Sequence, residues 1–302
     1  MAERISGESL WQWRSQAQQQ AIAAGISVGE VDWLLQAVTG VDRLCLRLGT
    51  VRDRPHIPLD RSLADLTHCW QQRVEARVPL QYLVGGVSWR QFQLKVSPAV
   101  LIPRPETEEA IDLAVKACGQ SHAVQTGHWA DLGTGSGVIA IGLATALPQA
   151  TIHAVDRSEA ALAIARQNAQ QCDRSEPNAC DRIHFYLGDW FAPLTALKGQ
   201  LAGMVSNPPY IPSAEIAQLQ PEVCQHEPHL ALDGGTDGLD CLRHLVSNAP
   251  LYLRSGGIWL VEMMAGQAES VTQLLEQQGS YTQIQVFPDL SGIDRFVLAY
   301  RI

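Results

Sequence analysis

From about residue 105 to the C-terminus, apolar stretches alternate with amphipathic ones of helical period. A chain patterned in this way folds into a mostly parallel sheet covered by helices on both faces. Strands are predicted near His128–Leu132, Thr151–Val155, Ile183–Leu187, Ala202–Ser206, Ile258–Glu262, Ile284–Phe287 and Phe296–Tyr300. Helices are predicted near Thr107–Cys118, Val138–Leu147, Ser158–Gln171, Leu239–Ala249 and Gln267–Gln278. No helix separates the last two strands, so an antiparallel hairpin is expected at one sheet edge. The polar segment Cys172–Asp181, with Pro177 and Asn178, reads as a surface loop.

The first part of the chain reads as a small helical bundle. Ser9 is expected to cap a helix carrying Leu10, Trp13, Ala17 and Ile22 and stopping at Gly25. A second helix runs from about Val28 to Val38 before Gly40, and a third follows Ser62 with Leu63, Leu66, Trp70 and Val74 at helical spacing before Pro79. Trp11, Trp13, Trp33 and Trp70 are read as core rather than as a ligand box. Around Leu80 to Ser97 the pattern turns β-like, with Gln81-Tyr82-Leu83-Val84, Gly85-Gly86 and Phe92 to Val96, as in a hairpin connecting two domains.

At 302 residues, one large domain plus a smaller one is the expected arrangement, since single domains typically hold about 100–150. No stretch of about 18 or more uncharged apolar residues occurs, and Met1-Ala2-Glu3-Arg4 leads into no apolar signal region. A soluble, cytoplasmic protein without membrane association is therefore expected. The seven cysteines are scattered, with no Cys-x-x-Cys pair, and read as reduced, mostly buried thiols. Neither they nor the nine histidines form a metal-binding cluster, so no metal is expected. A net charge of −9 argues against a protein that neutralises duplex phosphates, and no direct nucleic-acid partner is expected. The five arginines between Arg43 and Arg61 face Asp42, Asp53 and Asp60, as on a mixed solvated surface.

Ala130-Asp131-Leu132-Gly133-Thr134-Gly135-Ser136-Gly137 lies where the first strand of the large sheet turns into its helix. Its glycines let the backbone approach a ligand closely, and a helix N-terminus favours anionic groups. Val138 stands where the third glycine of the dinucleotide fingerprint belongs. Asp156 ends the next strand, where a carboxylate can hold ribose hydroxyls, and Asp189-Trp190 ends the third, offering an acid and an indole beside an adenine. Each can also be structural, Asp131 and Asp156 as caps and Trp190 as core. Together they predict a nucleoside-cofactor site over Gly133, Thr134, Gly135, Ser136, Gly137, Asp156, Asp189, Trp190 and Asn207.

The fourth strand ends in Asn207-Pro208-Pro209-Tyr210. This turn suits methylation of a planar amino nitrogen, whose lone pair is delocalised and poorly nucleophilic. Accepting both of its N–H bonds aims that lone pair at an electrophile, and the Asn207 side-chain oxygen with the Pro208 carbonyl can do so. The prolines fix their own φ and bring no competing N–H. Tyr210 supplies a flat face for a planar amide or base. A strand ending in a Pro-Pro turn with a packed tyrosine is the structural alternative. S-adenosylmethionine suits the pair of motifs better than NAD, because the glycine spacing is wrong for a pyrophosphate and the turn suits a methyl acceptor.

On these residues the sequence resembles the HemK/PrmC family of S-adenosylmethionine-dependent protein-glutamine methyltransferases, from roughly Pro79 to the C-terminus. The matching blocks are Pro79 to Gly85, Leu101-Ile102-Pro103-Arg104-Pro105-Glu106-Thr107-Glu108, Asp131 to Gly137, Val205 to Ile211, and Glu227-Pro228 with Ala231 to Gly235. The resemblance implies methyl transfer to the glutamine of the Gly-Gly-Gln motif in peptide-chain release factors. It implies a Rossmann-like class I methyltransferase sheet, mostly parallel with an antiparallel edge hairpin, plus a small N-terminal helical bundle. It carries cofactor roles onto Gly133 to Gly137, Asp156, Trp190 and Asn207, and glutamine binding onto Asn207, Pro208, Pro209 and Tyr210; the amide-holding mechanism places catalysis on Asn207, Pro208 and Tyr210. Arg104, Glu106 and Thr107 either line the pocket entrance or begin a helix, and Arg104 is carried as a substrate contact. The expected division is a helical substrate-recognition domain over 1–78, a linking hairpin over 79–104 and a catalytic domain over 105–302. Met263-Met264-Ala265-Gly266 departs from the family's Ile-Gly after the fifth-strand glutamate, which bears on local packing. An adenine-N6 nucleic-acid methyltransferase and a non-catalytic module binding release factors or ribosomes remain as alternatives.

Overall fold

The computed structural model describes residues 3–119, 122–172 and 179–302. Of the expected loop Cys172–Asp181, residues 173–178 lie outside the described residues. Contacts divide the chain into a unit ending at Gly85 and one beginning at Gly86.

In the first unit β1 (Glu3–Ile5), α1 (Gly7–Ala23), α2 (Gly29–Thr39), α3 (Arg43–Leu48), β2 (Ile57–Leu59), α4 (Leu63–Glu75) and α5 (Leu80–Val84) follow in order. Leu10, Leu34, Leu46, Leu66 and Trp70 form its buried centre, with Trp11, Trp13 and Trp33 packed against it. Gly40 ends α2 in the left-handed conformation, and Ser62 with Asp65 forms a reciprocal capping box for α4. Arg14 holds Asp32 and Arg73 holds Glu30, each through two N–H donors, so α2 is tied to both α1 and α4.

Three expectations are corrected here. Ser6, not Ser9, caps α1: it is extended, and its hydroxyl accepts the Ser9 backbone N–H at 3.1 Å. The bundle also contains a strand pair, β1 with β2 antiparallel, whose three residues each are too few for a readable period. Residues 80–84 are helical rather than β-like. Pro79 sets up the helix start and Gly85, at φ 80°, closes it by donating to the Gln81 carbonyl at 2.8 Å. Local capping outweighs the brief apolar run.

The second unit begins with a hairpin, β3 (Gly86–Trp89) and β4 (Phe92–Lys95). Then come α6 (Glu108–Cys118), α7 (His122–Gln125), β5 (His128–Leu132), α8 (Val138–Ala146), β6 (Thr151–Asp156), α9 (Glu159–Cys172), β7 (Ile183–Leu187) and β8 (Leu201–Ser206). The chain finishes with α10 (Pro221–His226), α11 (Asp240–Tyr252), β9 (Leu253–Glu262), α12 (Ala268–Gln278), β10 (Tyr281–Pro288) and β11 (Asp294–Arg301). Seven strands form one sheet in the order β10-β11-β9-β8-β5-β6-β7. Strands β9, β8, β5, β6 and β7 run parallel, and β11 and β10 add antiparallel at one edge.

Two apolar layers flank this sheet. One contains Trp89, Ile111, Trp129, Ile141 and Leu260, and the other Met204, Leu245, Trp259, Val271 and Val297. A Cβ at Gly203 would lie 2.4 Å from the Trp129 ring, so β8 carries glycine where the indole of the neighbouring strand crosses it. The strand order reverses between β5 and β8: the chain runs outward through β6 and β7, then returns to the other side of β5. Ligands bind at such a switch point, beyond the carboxyl ends of the strands. Asp131 pairs with Val205 and Ser206 with Val261, which brings the ends of β5, β8 and β9 side by side.

Candidate active site

Beyond β5 the chain makes a loop in which Gly133, Gly135 and Gly137 have φ of 76°, 55° and 86°. L side chains are strained at these angles, so the glycines are required by the turn itself. The Gly133 and Thr134 amides donate to the Val155 carbonyl at 2.9 and 3.0 Å, drawing the loop over β6. Asp156 receives the Gly135 amide at 2.8 Å on one carboxylate oxygen and the Ser158 amide at 2.8 Å on the other. One acid thus braces the loop and holds the turn into α9, which Ser158 caps by accepting the Ala161 amide at 3.2 Å. Trp190, at the rare φ of 46°, sits 3.6 Å from where a Gly133 Cβ would be, and so forms a wall of the same hollow.

Directly behind the loop, Asp131 is buried at the end of β5. Its Oδ2 accepts from the Thr134 hydroxyl and from the Ala140 amide at 2.9 Å, while Oδ1 is buried with no hydrogen-bond partner. Burial lifts its pKa to about 7 against the pull of those two hydrogen bonds. Burial also raises Asp156, which its backbone donors partly oppose.

Beyond β8 stands the Asn207–Tyr210 turn. The Ser206 hydroxyl donates to the Leu132 carbonyl at 2.6 Å and locks the root of the turn to the root of the glycine loop. Asn207 Nδ2 donates to Thr107 Oγ1 at 3.2 Å, and Thr107 donates in turn to Glu262 Oε2 at 2.7 Å. The Tyr210 hydroxyl donates to the other oxygen of Glu262 at 3.1 Å. Burial raises the pKa of both Glu262 and Tyr210. Downstream, a Cβ at Gly234 would come within 2.8 Å of the Tyr210 Cα, so glycine is needed where residues 232–235 clamp the turn. Ile211 exchanges backbone bonds there with Leu232 and Gly234 at 3.0 and 2.9 Å. Arg104 grips Glu227 through both carboxylate oxygens, at 2.8 and 2.9 Å, and holds the segment before α6 against the segment after α10.

These elements enclose a cavity of about 720 Å³ lined by Arg104, Thr107, Gly133 to Ser136, Asp156, Asp189, Trp190, Asn207 and Pro209, among others. Gly137 lies outside that lining; a Cβ there would come 3.1 Å from Ala165 Cβ, so glycine is needed where the loop meets α9. Pro208 is buried and Tyr210 half-buried with its hydroxyl on Glu262, and neither lines the cavity. Of the residues before α6, Arg104 and Thr107 reach the cavity while Glu106 is exposed at the helix start.

The cavity fits a nucleoside cofactor carrying a cation. Open space faces Gly135, the carboxylates of Asp156 and Asp189 and the Trp190 indole line the cavity at the ends of β6 and β7, and behind the loop a buried Asp131 oxygen lacks a donor. Sequence reading carries Arg104 as a substrate contact but places neither Glu262 nor Glu227, the partner of Arg104, in the site. A glutamate ending the all-apolar run Ile258–Val261 was the available signal for the first. For the second, nothing in the sequence joins residues 123 apart.

The fold and the cavity define a Rossmann-like class I S-adenosylmethionine-dependent methyltransferase. Residues 108–235 match the family model described as methyltransferase small domain. The catalytic domain of hMettl16 in complex with MAT2A 3'UTR hairpin 6 shares the fold, with a TM-score of 0.54 at 14% identity, over 82% of this chain and 84% of that one. The release factor glutamine methyltransferase of Synechocystis sp. is 52% identical over 98% of this chain and 97% of its own length. That of Gloeobacter violaceus is 46% identical over 95% and 96%. The chain belongs to the release factor glutamine methyltransferase family. The departure at Met263-Met264 is absorbed locally: Met263 is buried, and the Met264 amide donates to Gln267 Oε1 at 3.0 Å. Among the described residues no helix is long and apolar enough to cross a membrane.

Proposed function

We propose that the chain transfers the methyl group of S-adenosylmethionine to the side-chain amide nitrogen of the glutamine in the Gly-Gly-Gln motif of peptide-chain release factors, with Asn207 and the Pro208 carbonyl holding that amide. The observation that carries the assignment is the fixed carboxamide of Asn207 on the wall of the glycine-lined cavity, one strand away from the loop. Adjacent strands lie about 4.7–4.9 Å apart, so an amide held at the end of β8 faces a ligand held at the end of β5 at reacting range.

Bound S-adenosylmethionine supplies an electrophilic methyl carbon. The backbone from Gly133 to Ser136 would give it room, Asp156 would take the ribose hydroxyls, Asp189 and Trp190 would flank the adenine, and Asn207 would meet its reactive end. Asn207 Oδ1 and the Pro208 carbonyl accept the two N–H bonds of the glutamine and aim its lone pair along the line of attack. Pro209 and Arg104 line the acceptor side, and Tyr210 supports the turn from behind through its bond to Glu262. As the amide nitrogen becomes positively charged, the same two acceptors stabilise it and keep its protons until water removes one. No side-chain nucleophile takes part. Alignment of this kind contributes about 7–11 kcal/mol to lowering a barrier, and oriented dipoles add to it.

The acceptor is a folded protein of the termination machinery, which goes with a cytoplasmic setting, and the acidic chain is not expected to methylate nucleic acid. Incubation with a release factor and isotopically labelled cofactor, followed by mass spectrometry, tests this reading. Label on the Gly-Gly-Gln glutamine is expected. Label on an adenine-containing oligonucleotide but not on the release factor would reject it.

A further inference from the structure

Asn207 can serve as an acceptor only if its amide is the right way round. With Oδ1 toward the cavity it accepts an N–H of the substrate. Turned by half a rotation, it presents Nδ2 and sets donor against donor. Asparagine is nearly symmetric in shape, so neighbouring donors and acceptors decide its orientation. Asn207 has one neighbour that decides, Thr107 Oγ1 at 3.2 Å. A hydroxyl can donate or accept, and alone it would tolerate either orientation.

Glu262 removes that freedom. Its carboxylate is buried beneath the turn, and it accepts from Thr107 at 2.7 Å and from Tyr210 at 3.1 Å. With a hydroxyl donor on each oxygen and Arg295 nearby opposing the lift from burial, Glu262 acts here in its ionised form, which can only accept. The single Thr107 proton is therefore committed to Glu262, which leaves Thr107 Oγ1 only lone pairs for Asn207. The Asn207 amide must then direct Nδ2 at Thr107 and Oδ1 at the cavity. The three residues come from different elements, the start of α6, the end of β8 and the end of β9, so the arrangement is built by the fold and not by one local turn.

We infer that Thr107 and Glu262 are positioning residues that fix which way the Asn207 carboxamide faces, and so set the polarity of the glutamine-binding turn. The inference rests on the glutamine-methylation reading above. Thr107→Val keeps the shape and removes the hydroxyl. Thr107→Ser keeps the hydroxyl. Glu262→Gln places an N–H₂ where an acceptor was and allows the Thr107 proton to turn toward Asn207.

The test measures methyl transfer to a release factor at saturating labelled cofactor, with cofactor affinity followed by direct binding. T107V and E262Q are expected to lower kcat about 10- to 100-fold, the scale of a small misplacement of reacting groups. The KM for the release factor and the cofactor Kd should stay within about twofold, and T107S should return to within about threefold of the unsubstituted rate. In an Asn207→Ala background, T107V should change the rate less than about twofold, because its only target is gone. The inference is overturned by near-normal kcat in T107V, by T107S as slow as T107V, or by an equal loss in the N207A background. If T107V does not fold, a near-normal kcat in the isosteric E262Q overturns it equally. Absence of transfer by the unsubstituted chain would instead overturn the substrate reading, and this inference with it.

Discussion

The two walls of the cavity are held by bonds of very different reach. In the glycine loop, Thr134 and Ala140 bind Asp131 across three and nine residues, and Gly135 binds Asp156 across 21. In the acceptor turn, Tyr210 reaches Glu262 across 52 residues, Asn207 reaches Thr107 across 100, and Thr107 reaches Glu262 across 155. A cofactor cradle can be written mostly into neighbouring strand ends and the turn after β5, because most of its donors are backbone amides. An acceptor site that must orient a neutral amide needs side chains of defined polarity, and these arrive from three separate elements. The cradle is therefore a property of local conformation, and the acceptor turn a property of the whole sheet.

This contrast predicts that damage to the turn lowers turnover with little change in cofactor affinity, while damage to the cradle does the reverse. Asn207→Ala should have the largest effect. Loss of one oriented dipole at a reacting centre costs about 10²–10³ in kcat, circular dichroism should be unchanged, and cofactor Kd should move far less than kcat, since Asn207 meets only the cofactor's reactive end. A large shift in cofactor Kd would show the two walls to be one unit.

Next in size is Arg104→Ala. Glu227 has a side-chain exposure of 2%, so removing its partner leaves a buried, unpaired carboxylate. Arg104 itself is 34% exposed and partly screened, which places the expected loss at roughly 1–3 kcal/mol. Thermal unfolding should register it, and adding Glu227→Gln should recover part. Full stability in the single variant would mean that the clamp does not hold the acceptor segment.

On the cradle side, Gly137→Ala combines a φ of 86° with a Cβ that would lie 3.1 and 3.2 Å from Ala165 Cβ and Cα. A left-handed alanine costs roughly 1–2 kcal/mol; with the substituted loop relaxing in the free chain and being forced back into the tight turn on binding, that cost appears as a cofactor Kd weakened about 5- to 30-fold. Isothermal titration would measure it, with kcat at saturating cofactor nearly normal. A fall in kcat at unchanged Kd would invert the comparison.

The smallest effect is that of pH on cofactor binding. Burial holds Asp131 near pKa 7, above its unfolded value of 3.8, so the folded chain keeps a proton that the unfolded chain has lost. The stability this group contributes is complete below pH 4 and lost as pH rises through 7. A cationic cofactor prefers the ionised acid, so affinity should rise with pH up to about 7 and level off above it. The Kd at pH 6 should be roughly three- to tenfold weaker than at pH 8, and Asp131→Asn should flatten that slope. A slope retained in the variant would assign the proton elsewhere.

The same contrast governs what could be read from sequence. His128–Leu132 and Ile183–Leu187 were predicted to the residue, because both are short apolar runs bounded by turn signals. The loop from Gly133 to Gly137 was legible as a contiguous string. Asn207 was legible as a turn, but what stands behind it was not, since residues 52 to 155 apart carry no local mark of their meeting. The helix at residues 80–84 was misread for the complementary reason: five residues hold too few periods to separate strand from helix, and only the caps decide.

The most direct measurement is a crystal structure with S-adenosylhomocysteine and a peptide carrying Gly-Gly-Gln. The account predicts the glutamine carboxamide in the cavity, its two N–H bonds on Asn207 Oδ1 and the Pro208 carbonyl, and its nitrogen about 3–3.5 Å from the site of the missing methyl carbon. A carboxamide bound away from this turn, or donating to neither oxygen, would contradict it.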